Sequence, residues 1–241
     1  MSVFSYFQDD RLNHAVQKAA LVVFDMNGLI VDDEEFQTQA LTATLKRFNI
    51  TLNEVDWNEK VFGRNSTEYL TVIMHDYNVP ADSYRIDALV REKAERYREY
   101  VCSQLPHIVR KGVLEFFAYL LGCPSMRLAL ASSASSDEID TVIGEAGLNI
   151  RRNFGIIVSG EEVTHSKPDP EIYRMVARLA GVAPSACVVF EDSSLGIDAA
   201  HGAGMHSVAV PNRFTRAQDF RKAHYVISDL TREAKVLGTQ V

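Results

Sequence analysis

The chain has 241 residues, 46% of them hydrophobic and 24% charged, enough for one globular unit with a real core or for a core with a smaller insert. Its formal net charge of -7 excludes general nucleic-acid binding, because no basic field is available to neutralise backbone phosphates. No apolar run approaches the roughly 18 residues of a membrane span, and Cys102, Cys123 and Cys187 are too dispersed for a C-x-x-C pair, so reduced thiols in a cytoplasmic protein are expected.

The opening stretch, MSVFSYFQDDRLNHAVQKAA, lacks the basic start and continuous apolar segment of a signal peptide. It predicts a short helix beside the first strand, with no legible role. LVVF (21–24) then reads as a buried strand, and further β-rich runs follow at RLALA (127–131), GIIVS (155–159), ACVVF (186–190), HSVAV (206–210) and YVIS (225–228). Between them lie helical patterns. Ile139, Val142, Ile143 and Ala146 share a face ending at a Gly147 cap, and Asp169-Pro170 opens a helix with Ile172, Tyr173, Val176 and Leu179 inward. Alternating strands and helices with near-continuous apolar strands predict an α/β fold, a doubly wound parallel sheet with a Rossmann-like core.

Residues 34–104 break that alternation. Phe36, Ala40, Leu41, Leu45 and Phe48 mark one helix, and Ile86, Leu89, Val90, Ala94, Tyr97 and Val101 mark a longer one. The expected division is a core of residues 1–33 and 105–241 with a helical cap domain, 34–104, inserted after the first strand.

Four polar signals fall at or beyond the carboxyl ends of predicted strands, the edge where such sheets bind ligands. They are Asp25-Met26-Asn27-Gly28, then Ser132-Ser133, then Lys167 in HSKPDP, then Glu191-Asp192 ahead of a helix. Together they make a phosphoryl-transfer site. Asp25 is the candidate nucleophile. Asp25, Asp192 and Glu191, with the main-chain carbonyl of Asn27, offer hard oxygens to Mg2+. Ser132 and the amide of Ser133 can hold phosphate oxygens, and Lys167 can neutralise the charge that develops on transfer.

In this order the motifs resemble those of the haloacid-dehalogenase-like hydrolases, over roughly residues 20 to 212. The family's D-x-D-G is matched by DMNG, its strand ending in Ser or Thr by LALASS, its lysine by SKPDP and its acidic pair by FEDSSLGI. The chain is most similar in style to the beta-phosphoglucomutase-like group, which includes many sugar-phosphate phosphatases. The resemblance implies a Mg2+-dependent phosphatase with Asp25 as nucleophile and Ser132, Ser133 and Lys167 on the phosphate. The residue two beyond the nucleophile is the family's acid/base, and here it is Asn27. Its backbone can still serve the metal, but its side chain carries no proton, so a severe loss of turnover is expected.

Three readings of Asn27 stay open: an isolated change in an otherwise active phosphatase, a natural phospho-ligand binder or regulator without turnover, or a rerouted proton path through Glu34, Glu35 or His75. A mutase is a further alternative, weakened because Gln37 stands where mutase members carry a histidine. Arg64 and Asn65, in VFGRNSTEYL, are the cap residues expected to meet substrate, a small phosphorylated metabolite. The expected assembly is a monomer or weak dimer with no membrane partner. Arg110-Lys111-Gly112 departs from the more usual proline before this glycine.

Overall fold

The computed structural model describes residues 5–239. Residues 1–4, part of the stretch expected to form the first helix, lie outside that range. Within it, Asp10–Lys18 is helical, capped by the Asp9 carboxylate on two backbone amides. Leu12 and Val16 bury that helix against the main core.

Seven strands form one sheet in the order β3-β2-β1-β4-β5-β6-β7. They are β1 Leu21–Phe24, β2 Leu128–Ala131, β3 Ile156–Val158, β4 Cys187–Glu191, β5 His206–Ala209, β6 Tyr225–Ile227 and β7 Val236–Thr239. The first six pair in parallel, as the buried apolar runs predicted. β7 joins antiparallel at the edge and was not foreseen. Its residues alternate between half-buried and exposed, so it lacks the apolar run that marks an interior strand.

Alternation along β1 sends its side chains to both faces of the sheet. Val22 and Phe24 enter one core with Leu128, Leu130, Val188 and Phe190. Leu21 and Val23 enter the opposite core with the helices Glu171–Ala180 and Ser194–Ala203. Phe24 stacks on Phe190 with centroids 5.5 Å apart and on Phe117 at 4.7 Å. Such pairs contribute about 0.5–1.5 kcal/mol beyond their buried area, and here they fix the strand that carries Asp25.

Two helix details differ from the sequence expectation. Helix Ser136–Ile143 stops at Gly144, not at Gly147; the chain then folds back, with Leu148 N–H donating to the Val142 carbonyl at 2.8 Å. Helix Glu171–Ala180 starts one residue late, and Leu179 is 56% exposed because Ala177 and Ala180 take the inner face.

Between β1 and β2 come helices Glu34–Leu45, Ser66–Asp76 and Ser83–Val101, which share a hydrophobic cluster of their own around Leu41, Leu70, Ile73 and Leu89. The far end of the last helix is different, since Tyr97 and Val101 pack into the main core. No helix among the described residues is long and apolar enough to cross a membrane.

Candidate active site

β1 lies between β2 and β4, so the chain departs in opposite directions on either side of it, and a crevice opens at their carboxyl ends. Asp25 is the first residue past β1. Its N–H donates to the Phe190 carbonyl at 3.1 Å, which extends the ladder and pins the carboxylate beside the end of β4. The chain then turns sharply at Gly28, where φ is +74° and the N–H closes on the Val31 carbonyl at 2.7 Å. A Cβ at Gly28 would sit 2.4 Å from Asp192 Oδ2 and 2.7 Å from Asn212 Nδ2. Only glycine allows this approach of the two loops.

Lys167 arrives from the loop after β3 and is almost fully buried. Its ammonium donates to Asp25 Oδ1 at 2.7 Å, to Glu191 Oε1 at 2.6 Å and to the Ala131 carbonyl at 3.3 Å. Burial alone would lower its pKa, but the Asp25 and Glu191 carboxylates outweigh that and hold it well above the ordinary lysine value. One cation therefore serves two buried anions, and they do not share it equally. Glu191 also accepts from Tyr173 Oη at 2.9 Å and from the N–H and Oγ of Ser193, both at 3.0 Å. Burial opposes ionisation of Glu191, yet Lys167 and these donors win and its pKa is lowered. For Asp25, burial dominates over Lys167, and its pKa is pushed up to about 7. Asp192 has no lysine at all; burial, then Glu191 and Asp25, push it well above the carboxylate range.

The result is a pocket of under-compensated anionic oxygen. Asp25, Glu191 and Asp192 each present a carboxylate oxygen, all within 4.8 Å of one another. Hard oxygens with excess buried negative charge fit a hard divalent cation. Because four of Glu191's contacts are already donors, Asp25 and Asp192 are the carboxylates with capacity to spare. Asn212, unmarked in the sequence, donates from Nδ2 to Asp192 Oδ2 and to Glu34 Oε1, both at 2.9 Å. Its Oδ1 meanwhile accepts from the N–H groups of Phe214 and Thr215. Arg110 fixes the same corner by donating to the carbonyls of Gly28, Val210 and Pro211. It thus ties the first loop to the segment after β5.

Above this floor lies a cavity of about 150 Å³ between the sheet edge and the helical segment. Asp25, Asn27, Ser133, Lys167, Glu191 and Asp192 line its base. Ser132 lies just beneath, fully buried, with its Oγ donating to Asn27 Oδ1 at 3.2 Å and accepting from Ala134 N–H at 3.2 Å. Arg64 reaches the cavity from the helical side, its side chain one-third exposed and 4.0 Å from Glu68. Asn65 does not line it. Its side chain caps helix Ser66–Asp76 through Glu68 N–H at 2.9 Å, and its own N–H donates to Ser166 Oγ, next to Lys167.

Of the three residues considered for a rerouted proton, Glu34 lines the cavity, and burial followed by the nearby Asp33 raises its pKa to about 8. Glu35 instead pairs with Arg213 at the surface, and His75 is highly exposed beside Asp76. Gln37 also lines the cavity and accepts from Lys93, which is buried against Glu138.

The family model for haloacid dehalogenase-like hydrolases matches residues 22–210. The chain belongs to that family. Among its relatives, Protein CbbY of Rhodobacter capsulatus is 28% identical over 225 residues, covering 88% of this chain and 94% of that protein. A phosphorylated carbohydrates phosphatase of Thermotoga maritima is 28% identical over 187 residues, covering 78% of this chain and 82% of that protein. Among solved structures, a mutant of CbbY from Rhodobacter sphaeroides, in complex with xylulose-(1,5)bisphosphate, aligns with a TM-score of 0.76 at 25% identity. That alignment covers 88% of this chain and 95% of the other.

Proposed function

We propose that this chain is a Mg2+-dependent phosphatase of a small phosphorylated metabolite, most consistently a sugar phosphate, working through an aspartyl-phosphate on Asp25. The observation that carries the reading is the floor of the cavity: a buried carboxylate that lines it, held by Lys167 and flanked by Asp192. A relative whose name specifies phosphorylated carbohydrates supports the substrate class, and residues 34–104 act as the cap that selects it.

Asp25 and Asp192, with the Asn27 carbonyl, would hold the metal, which when bound screens the anionic nucleophile from the anionic phosphate and polarises the phosphoryl group. Glu191 acts by holding Lys167. Asp25 Oδ attacks phosphorus as the bond to the leaving oxygen breaks. The Ser133 amide and Lys167 hold the phosphoryl oxygens, and Lys167 balances the charge that builds on them. Ser132, expected from the sequence to touch phosphate, instead lies beneath the cavity with its hydroxyl committed to Asn27 and Ala134. The leaving oxygen then needs a proton, and water must lose one to attack the aspartyl-phosphate and release inorganic phosphate. Asn27 can do neither. General acid/base catalysis is typically worth about 10²- to 10⁴-fold, so turnover is severely reduced, most of all in the hydrolytic half.

Aryl or acyl phosphates, whose leaving groups need no proton, separate the two halves. Incubated with acetyl phosphate and Mg2+, the chain is expected to gain one phosphoryl group by intact mass and to release phosphate slowly. Asp25→Ala should gain none. If the parent chain binds phosphate esters yet never carries a phosphoryl group, the reading gives way to a phospho-ligand binder.

A further inference from the structure

The side chain of Asn27 is held on both sides. Its Nδ2 donates to Asp33 Oδ2 at 2.6 Å, and its Oδ1 accepts from Ser132 Oγ at 3.2 Å. Asp33 is fully buried at the start of the helical segment, and its Oδ2 also accepts from Tyr97 Oη at 2.6 Å and Gln37 Nε2 at 3.1 Å. Gln37 accepts in turn from Lys93, and Lys93 pairs with Glu138, which accepts from the N–H and Oγ of Ser135. Ser132 and Ser135 share one loop, so the contacts close into a ring. That ring crosses from the sheet edge to the helical segment and back.

Asn27 is the link between Ser132, which gives it a hydrogen, and Asp33, which takes one from it. A carboxylate at position 27 can accept from Ser132 but has no hydrogen for Asp33. It would instead set two buried carboxyl oxygens at the separation now spanned by an N–H···O bond. Buried acceptors facing one another cost free energy that a donor–acceptor pair does not.

We propose that Asn27 and Asp33 are a matched pair, with Asp33 the positioning residue that makes asparagine the residue position 27 requires. The asparagine is then not an isolated lesion in an intact phosphatase site. It is a strut of the ring that ties the first motif to the helices above it. The acid/base function is withheld by two positions together, and restoring aspartate at 27 alone does not restore it. The ring stands on contacts of the protein alone; the part concerning turnover rests on the phosphatase reading above.

Exchanging the two residues tests this. Asn27→Asp, Asp33→Asn and the double exchange are compared with the parent, by thermal unfolding without substrate and by phosphate release from a sugar-phosphate panel with Mg2+. Asn27→Asp is expected to lower Tm by on the order of 5 °C and to raise turnover by less than about tenfold. Asp33→Asn keeps an acceptor for Asn27 and should unfold close to the parent. The double exchange restores a donor–acceptor pair in the reverse sense. It should recover most of the lost Tm and raise turnover by about 10²-fold or more over the parent. An Asn27→Asp protein as stable as the parent and as active as the double exchange overturns the proposal. Recovery of Tm with no turnover in any variant keeps the pair and removes the phosphatase reading. Additive Tm effects overturn the pair and leave that reading standing.

Discussion

Lys167→Met is the most exacting single test of how the site is assembled. The methionine retains the length of the stem, so the change removes a charge more than a volume. The ammonium lies 2.7 Å from Asp25 and 2.6 Å from Glu191, with side-chain exposures of 4%, 10% and 1% for Lys167, Asp25 and Glu191. Removing one partner from a buried ion pair costs about 3–5 kcal/mol. Here one cation serves two carboxylates, which puts the expected loss at the upper end, about 4–5 kcal/mol. At roughly 3 °C per kcal/mol for a chain of this size, Tm should fall by about 12–15 °C near pH 7.5. The deficit should shrink as the pH is lowered. Without Lys167 the folded state holds Asp25 and Glu191 protonated to higher pH than the unfolded chain does, so each pH unit downward favours the folded form. Calorimetry or circular dichroism of parent and variant between pH 5 and 8, without metal, measures both effects. A loss below about 3 °C at pH 7.5, or a deficit that grows toward low pH, would refute the assignment of Lys167 as counter-ion to both carboxylates.

Two further outcomes follow from the same geometry. In the metal-free parent, Asp25 titrates in the fold near 7 and Glu34 near 8, against ordinary values of 3.8 and 4.5, so the folded state binds more protons across that interval. Stability should therefore fall as pH rises from about 4 to about 8, and Mg2+ should raise Tm more at pH 8 than at pH 5; fluorimetric melts with and without chelator check both, and a rising metal-free curve is the contrary result. Asn212→Ala removes the amide that orients Asp192 and should weaken Mg2+ binding about 10- to 100-fold by titration calorimetry, whereas unchanged affinity would show that Asp192 is held without it.

The clustering of Asp25, Lys167, Glu191 and Asp192 was legible because each follows or lies near a strand whose apolar run is easy to see. The parallel sheet was legible for the same reason. β7 was not, because a short, half-exposed edge strand carries no such run. The ring around Asn27 was invisible for a different reason. In REKAERY, Lys93 looks like one charge on a solvated helix face, yet it is 4% exposed because Glu138, on a helix 45 residues later, meets it. Likewise Asp33 sits in a run of four acidic residues, and nothing local distinguishes it from Glu35, which reaches the surface. Asn212 acts through the approach of three loops, which only the folded chain brings together. Polar roles set by long-range partners leave no periodic trace, unlike apolar faces.

The helix Ser83–Val101 runs 19 residues, about 28 Å, and its two ends belong to different interiors. Ile86, Leu89 and Val90 pack within the helical cluster, whereas Tyr97 and Val101 are buried with the sheet. A rod anchored at both ends couples what it joins. A tilt of its outer half relative to the sheet would strain the seat of Tyr97, whose hydroxyl donates to Asp33, or bend the helix between its two anchored ends. The helix thus joins its own cluster to the first motif, and a substitution at Tyr97 is expected to be felt at that motif through Asp33.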